Sequence, residues 1–245
     1  MKQRLDQYLF RNGFFNSRAR AADAILNGHI LVDGVVAAKA SQMVRPEMIV
    51  EVSGQTHPYV SRGGLKLAKA LEHFALTAKD KTCLDLGAST GGFTDVLLRD
   101  GAAQIFALDV GTGQLAPELV ADNRVVNLSG VNARDLSAQD IPSNIQVIVC
   151  DVSFISLRLV LPPALATAAS GSWLVALIKP QFEAGKGALG KNGVIKDPEI
   201  HQRVCDDFSD WFRAEAPDWA IKGIHDSPIT GPKGNREFLF AAEYA

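Results

Sequence analysis

Thr82-Cys83-Leu84-Asp85-Leu86-Gly87-Ala88-Ser89-Thr90-Gly91-Gly92-Phe93-Thr94 is the stretch whose reading decides the fold of this chain. Short apolar residues reach Asp85, a Gly/Ser/Thr turn follows, and Asp95-Val96-Leu97-Leu98 opens a helical pattern. A strand, a glycine turn and a helix in that order present backbone N–H groups to a small anionic or dipolar ligand. The acid just before the glycines narrows the choice. Asp85 repels nucleotide phosphates and attracts an ammonium group, so the turn is expected to serve a methyl donor, S-adenosylmethionine, rather than a nucleotide.

Downstream, apolar runs alternate with helical stretches. Gln104 to Asp109 reads as a strand ending in a carboxylate, at a spacing from Asp85 that suits an acid holding ribose hydroxyls. Val125-Val126-Asn127 is a weak third strand, followed by a polar turn over Asn132-Ala133-Arg134-Asp135. Ile145 to Cys150, ending at Asp151, and Trp173 to Ile178, ending at Lys179-Pro180, are continuous apolar runs of the kind buried parallel strands show. A long helix is expected over Asp197 to Glu215. Strands follow at Ala220–Ile224 and Glu237–Ala242, separated by a Gly/Pro loop. The expected fold class is α/β, a doubly wound Rossmann-like sheet. In such a sheet Asp85, Asp109, Asp151 and Lys179 share the carboxyl edge where ligands bind. One charged strand end is ordinarily a solvated boundary, but four in register point to a site.

Upstream, Leu5, Tyr8 and Leu9 fall at helical spacing, and Gly13 breaks the helix. Ser17 caps a second helix that stops at Gly28; His29–Val32, the Asp33-Gly34 turn, Val35-Val36 and Met48–Val52 read as a small sheet. The pattern divides the chain into a module over 1–54, a linker over 55–60 and a larger domain over 61–245. Ser61-Arg62-Gly63-Gly64 leads the larger domain into a helix with Lys66 and Lys69 opposite its apolar side. Residues 1–81 carry twelve Lys and Arg against seven Asp and Glu, whereas the remainder carries thirteen against twenty. Any polyanion-binding role therefore falls in the first third. Overall net charge is only −2, which argues against a generically basic nucleic-acid binder.

Three dispersed cysteines, Cys83, Cys150 and Cys205, match neither a disulfide framework nor a zinc spacing, and no metal site is expected. The polar start and the lack of a membrane-length apolar run make a cytoplasmic protein without a membrane partner the expectation.

Two resemblances bear on function. Arg-Leu-Asp at Arg4, Ser-Arg at Arg18 and Gly-His-Ile-Leu-Val-Asp-Gly from Gly28 resemble the alpha-L RNA-binding module of a small-subunit ribosomal protein and of pseudouridine synthases. This implies that Arg4, Arg18, Arg20, Lys39 and, at the domain boundary, Arg62 contact RNA. Gly-Gly-Leu-Lys66, Cys-Asp151-Val-Ser-Phe, Ile-Lys179-Pro-Gln-Phe and Asn-Arg-Glu237-Phe resemble the Lys-Asp-Lys-Glu set of FtsJ-type ribose 2′-O-methyltransferases. Joined to an alpha-L module, the whole is similar to the TlyA family of haemolysin-named ribosomal RNA methyltransferases. That resemblance implies S-adenosylmethionine as cofactor, cytidine ribose as acceptor, and ribosomal RNA or ribosomal subunits as partner. It places Gly87, Ser89, Gly91 and Phe93 around the methionine moiety with Asp85 and Asp151 close by, Asp109 on the ribose and Asp135 on the adenine. Many methyltransferases carry glycine where this chain has Ser89. The chain resembles the short form of the family, which implies large-subunit RNA as the main target.

The residue types suit the chemistry. A ribose 2′-hydroxyl needs its proton removed and its oxygen placed in line with methyl and sulfur. A lysine serves as base only when a neighbouring cation or desolvation lowers its pKa, which Lys66 beside Lys179 is expected to supply. Lys179 is assigned as base, with Asp151 holding it and Glu237 balancing the pair.

Rival readings have weaker support. Gly87-Ala88-Ser89-Thr90-Gly91 fits a hydrolase nucleophile elbow, with Asp197 and His225 available downstream, but no His-Gly-Gly loop precedes it. Gly185 to Asn192 nearly spells a phosphate-binding loop, with Asn192 replacing the magnesium-binding hydroxyl. An inactive RNA-binding assembly factor and a pore-forming haemolysin are the non-enzymatic alternatives.

Overall fold

The structure is a computed structural model that describes residues 2–245 except 16, 27, 54–56, 138–139, 191–192 and 232–233, and the backbone alone at Lys186. It forms two compact units, Met1–Arg62 and Gly63–Ala245.

The first unit holds β1 (Gln3–Arg4), α1 (Leu5–Arg11), α2 (Arg18–Leu26), β2 (Ile30–Val32), β3 (Val35–Val36), β4 (Met43–Val44) and β5 (Val50–Val52). The Ser17 hydroxyl accepts from Arg20 N–H at 3.2 Å, the cap expected for α2. Asp33 and Gly34 both take positive φ, as a two-residue hairpin with strand-matched twist requires. β1 and β4 pair in a two-residue ladder that is too short to leave a periodic signal in sequence. Leu5, Leu9, Ala21, Ile25, Ile30, Val32 and Val44 close the small core. Of the expected linker, residues 55–56 lie outside the described residues, as does residue 54 at the end of the expected module. His57 is tied back to the first unit by its Nε2, 2.7 Å from Asp23 Oδ2.

The second unit runs α3 (Gly63–Phe74), β6 (Thr82–Leu86), α4 (Gly92–Arg99), β7 (Gln104–Asp109), α5 (Pro117–Val120), β8 (Val125–Ser129), β9 (Ile145–Cys150), α6 (Leu157–Leu165), β10 (Ala168–Ile178), α7 (Pro180–Glu183), α8 (Pro198–Glu215), β11 (Trp219–Asp226) and β12 (Phe238–Tyr244). Its sheet has seven strands in the order β11-β12-β10-β9-β6-β7-β8. The five from β10 to β8 are parallel, and β12 lies antiparallel between β10 and β11. The chain steps outward from β6 through β7 to β8, then returns to place β9 on the other side of β6. That reversal opens a crevice at the carboxyl ends of β6 and β9.

One sheet face is sealed by α6 and α8. Phe208 and Phe212 stand one turn apart on α8, and both reach Phe240 of β12 with ring centroids 5.0 and 4.8 Å away. The other face buries Cys83, Val147, Val175 and Leu239 with Leu67 and Leu71 of α3 and Val96 and Leu97 of α4. Placing β12 inside the sheet carries Glu237, the residue before it, to the same edge as Asp151 and Lys179.

Phe208 is fully buried in this packing. Phe208→Ala should destabilise the second unit by about 3–5 kcal/mol through lost burial and the cavity left behind. Chemical denaturation followed by tryptophan fluorescence measures it, and a loss below about 1 kcal/mol would contradict the packing described.

Candidate active site

The crevice is a cleft of about 480 Å3 lined on one side by Gly87 and Ser89 after β6, by Asp109 ending β7, and by Asp151 to Ile155 after β9. Gly87 has φ +82°, and a Cβ there would lie 2.9 Å from the Asp151 carbonyl oxygen. The turn after β6 and the end of β9 thus approach so closely that only glycine fits. Asp109 is held by two backbone donors: Ser89 N–H to Oδ2 at 2.8 Å and Gly111 N–H to Oδ1 at 2.7 Å. Ser89 itself has φ +48°, and its hydroxyl donates to Gln114 Oε1 at 3.2 Å.

At the cleft floor the part-buried Asp151 joins three buried charges, Lys66, Lys179 and Glu237, in one cluster. Lys66, on α3, places Nζ 3.1 Å from Asp151 Oδ2 and 2.7 Å from Glu237 Oε2. Lys179, at the end of β10, places Nζ 2.5 Å from Asp151 Oδ1, 2.8 Å from the Val152 carbonyl and 3.0 Å from Ser153 Oγ. Lys66 and Lys179 are only 7% and 5% exposed. Burial pulls the Lys66 ammonium toward deprotonation, but Asp151 and Glu237 together outweigh it and hold its pKa above the ordinary lysine value. Burial likewise opposes ionisation of Asp151, and the two lysines outweigh it, keeping this carboxyl below the usual range. Lys66, expected to act on Lys179 as a neighbouring cation, is separated from it by Asp151, whose carboxylate bridges the two ammoniums.

The remaining candidates separate by position. Asp85 is fully buried two residues before Gly87, and accepts from Thr94 Oγ1 at 2.6 Å. Burial pushes its carboxyl up to about 7, and its Oδ1 has no hydrogen-bond partner among the described residues. Gly91 and Phe93 do not line the cleft. A Cβ on Gly91 would meet Leu119 and Leu115 side chains, so its glycine is accounted for by packing, and Phe93 is buried in the first turn of α4. Asp135 is exposed, and the neighbouring Asn132, Ala133 and Arg134 line the cleft in its place. Sequence reasoning passed over Gln114, Ser153 and Phe154. Phe154 has φ +65°, is 90% exposed at the cleft rim, and has its ring centroid 5.2 Å from that of Phe182. Its only signal in sequence was its place in the Asp151 motif.

The geometry bears on the hydrolase reading too. The Ser89 hydroxyl meets Gln114, whereas His225 stacks on His73 at 3.8 Å and Asp197 caps α8 through Glu199 N–H. Ser89, His225 and Asp197 therefore do not assemble a triad. Of the near phosphate loop, residues 191–192 lie outside the described residues.

In the first unit, Arg4 and Arg18 converge on the buried Asp6. Arg4 Nε reaches Oδ1 at 2.9 Å and Arg18 Nη2 reaches Oδ2 at 2.8 Å, while both arginine side chains stay about half exposed. Arg20 Nη2 donates to the His57 carbonyl at 3.1 Å, and Arg62 Nε lies 3.7 Å from Asp23 Oδ1. Lys39 is exposed. Arg4 and Arg18 thus hold the module together as well as presenting positive charge on its surface.

Comparison with known proteins agrees with the two-part geometry. Residues 59–244 match the FtsJ-like methyltransferase family and residues 3–50 match the S4 domain. The 16S/23S rRNA (cytidine-2′-O)-methyltransferase TlyA of Mycobacterium tuberculosis is 43% identical over 97% of this chain and 88% of its own length. The 23S rRNA (cytidine-2′-O)-methyltransferase TlyA of Campylobacter jejuni is 34% identical over 91% of this chain and 93% of its own. A solved structure from Streptococcus thermophilus, provisionally named a hemolysin, covers 100% of this chain and 89% of its own at 38% identity, with a TM-score of 0.79. Among the described residues no helix is long and apolar enough to cross a membrane.

The Asp6 cluster has a pH signature. Arg4 lowers the Asp6 carboxyl against the effect of burial, and with Arg18 brings it to about 2, below its unfolded value. The stabilisation is therefore complete above about pH 4 and is lost as pH falls through the folded value. Amide exchange at Leu5 and Leu9 should show this loss between pH 4 and 2 in the native chain and a flatter profile in Asp6→Asn. Identical profiles would contradict the pairing.

Proposed function

The chain belongs to the FtsJ-like methyltransferase family, and on that footing we propose that it transfers a methyl group from S-adenosylmethionine to the 2′-oxygen of cytidine in ribosomal RNA. The observation that carries this reading is the buried Lys66–Asp151–Lys179 chain, with Glu237 on Lys66, opening beside a donor-sized cleft. Methylating a base nitrogen does not call for two buried lysines on one carboxylate. Deprotonating and aligning a ribose hydroxyl does.

The cleft suits the donor. Its volume falls within the range of small-molecule sites, Gly87 gives close backbone approach, and Asp109 offers oxygens for ribose hydroxyls. Asp85 lies buried under the turn, with one oxygen unpartnered among the described residues. Asn132 and Arg134 are better placed than Asp135 to meet the adenine. When bound, the donor supplies a methyl group already activated on a sulfonium. The chain's own work is to hold the acceptor oxygen in line, take its proton at Lys179 and keep water out. Asp151 fixes Lys179, and Glu237 holds Lys66 against the same carboxylate, so that the acceptor meets a preorganised charge pattern.

Phe154, exposed in a strained backbone conformation at the rim, is suited to stack the acceptor's base. The S4 module supports RNA as partner through Arg20, Lys39 and the exposed portions of Arg4 and Arg18; such contacts give affinity rather than sequence choice. Both TlyA relatives carry 23S rRNA in their names, which supports large-subunit RNA as the common target.

The test is transfer of labelled methyl from S-adenosylmethionine to large-subunit RNA. Lys179→Ala should lower the rate by more than about 100-fold at saturating donor and RNA. Undiminished turnover would contradict the mechanism. Phe154→Ala should raise KM for RNA by about tenfold while leaving kcat within a few-fold, as loss of one stacked base predicts. An unchanged KM would remove Phe154 from the acceptor site.

A further inference from the structure

Lys179 is 5% exposed, so its amine has almost no direct opening to a substrate. Ser153 connects it to the cleft: it is exposed, lines the cleft, and has its hydroxyl 3.0 Å from Lys179 Nζ. We propose that Ser153 relays the proton from the acceptor hydroxyl to Lys179. This rests on the ribose 2′-O-methyltransferase reading above.

Donor and acceptor capacity around Lys179 Nζ decides the proton's route. As an ammonium, Lys179 has three N–H groups and meets three oxygens: Asp151 Oδ1, the Val152 carbonyl and Ser153 Oγ. To act as a base it must first lose one proton to water, and the lone pair then faces one of those oxygens. An ionised carboxylate and a carbonyl only accept, so a lone pair against either is repelled. The Ser153 hydroxyl alone among the three can turn and donate. The neutral amine is therefore compatible with this cage when Ser153 O–H points at Nζ, which leaves Ser153 Oγ free to accept from the cleft side. An incoming 2′-hydroxyl donates there. As its oxygen forms the bond to the methyl carbon, the carbon–sulfur bond breaks and the sulfonium becomes a neutral sulfide. The 2′-O–H bond breaks in the same event, Ser153 Oγ gains that proton, and its own proton passes to Lys179 Nζ, restoring the ammonium. Charge and protons balance with no additional reagent.

Lys66 offers no equivalent path. Its partners among the described residues, Asp151 Oδ2 and Glu237 Oε2, are both carboxylate oxygens, and both raise its pKa. Ser153 also differs from Ser156, whose hydroxyl donates to Glu183 Oε2 at 2.6 Å and is committed to holding the start of α6. Sequence alone could not separate these two serines.

The experiment is single-turnover methyl transfer to large-subunit RNA at saturating donor, by native protein, Ser153→Ala and Ser153→Thr, in mixtures of light and heavy water. Native protein should show a bowed dependence of rate on deuterium fraction, as two moving protons require. Ser153→Ala should be slower by about tenfold to a hundredfold, with a linear dependence from a single proton. Ser153→Thr, which keeps the hydroxyl, should recover the rate to within about threefold and restore the bowed dependence. Thermal melting verifies that both variants fold; if Ser153→Ala does not, a linear dependence in native protein still overturns the relay. A full rate in Ser153→Ala, or a slow one with the native isotope dependence, also overturns it and leaves the methyltransferase reading intact. Native protein that transfers no methyl to ribose overturns that reading and the relay with it.

Discussion

Asp151 carries one carboxylate oxygen 3.1 Å from Lys66 and the other 2.5 Å from Lys179, and the rest of the site is arranged so that this triplet can exist below the surface. Two ammoniums brought this deep are costly to bury without an anion between them. With Asp151 alone the cluster would keep a net positive charge, and Glu237 on Lys66 removes it. Each member comes from a different element: α3, the turn after β9, the end of β10 and the start of β12. The antiparallel insertion of β12 beside β10 is what brings Glu237 into reach. The fold and the charge pattern are therefore one constraint, because a sheet that lacked β12 in its interior would leave Lys66 short of a counter-ion.

The same carboxylate joins the two halves of the proposed reaction. Gly87 lies so close to the Asp151 backbone that the glycine turn and the lysine cluster share one wall. A donor seated along the turn and an acceptor aimed at Lys179 would meet across Asp151 to Phe154. In-line transfer requires that proximity, and it is reached by backbone packing rather than by long flexible side chains. Phe154 completes the wall at its exposed end, and the backbone strain it carries is offset by the ties that Lys179 makes to Val152 and Ser153 just before it.

Much of this was legible in the sequence. The Thr82–Thr94 run specified strand, turn and helix, and the strand-end charges Asp109, Asp151 and Lys179 all reach the predicted edge. The helix expected over Asp197 to Glu215 is the one that seals one face. What stayed hidden depends on contacts between distant segments. Gly91 sits in the glycine turn, yet its lack of a side chain is used by Leu119, nearly thirty residues on. Arg4 and Arg18 resemble phosphate contacts, but the buried Asp6 claims both. Asp85 ends an apolar run as a ligand acid would, yet it is wholly buried against Thr94. Ser153 and Phe154 belong to no periodic pattern, and exposure and positive φ are not written in residue type. The pairing of Lys66 with Lys179 was legible, but spacing does not reveal the Asp151 carboxylate lying between them.

The central claim is that the buried lysine–carboxylate cluster makes this chain a ribose methyltransferase of ribosomal RNA. Mass mapping of ribose methylation in ribosomes from cells with the native gene, without it, and with a Lys179→Ala copy tests that claim most directly. The account predicts a 2′-O-methylcytidine in large-subunit RNA that is present with the native gene and absent in the other two. Identical ribose methylation in all three would contradict it.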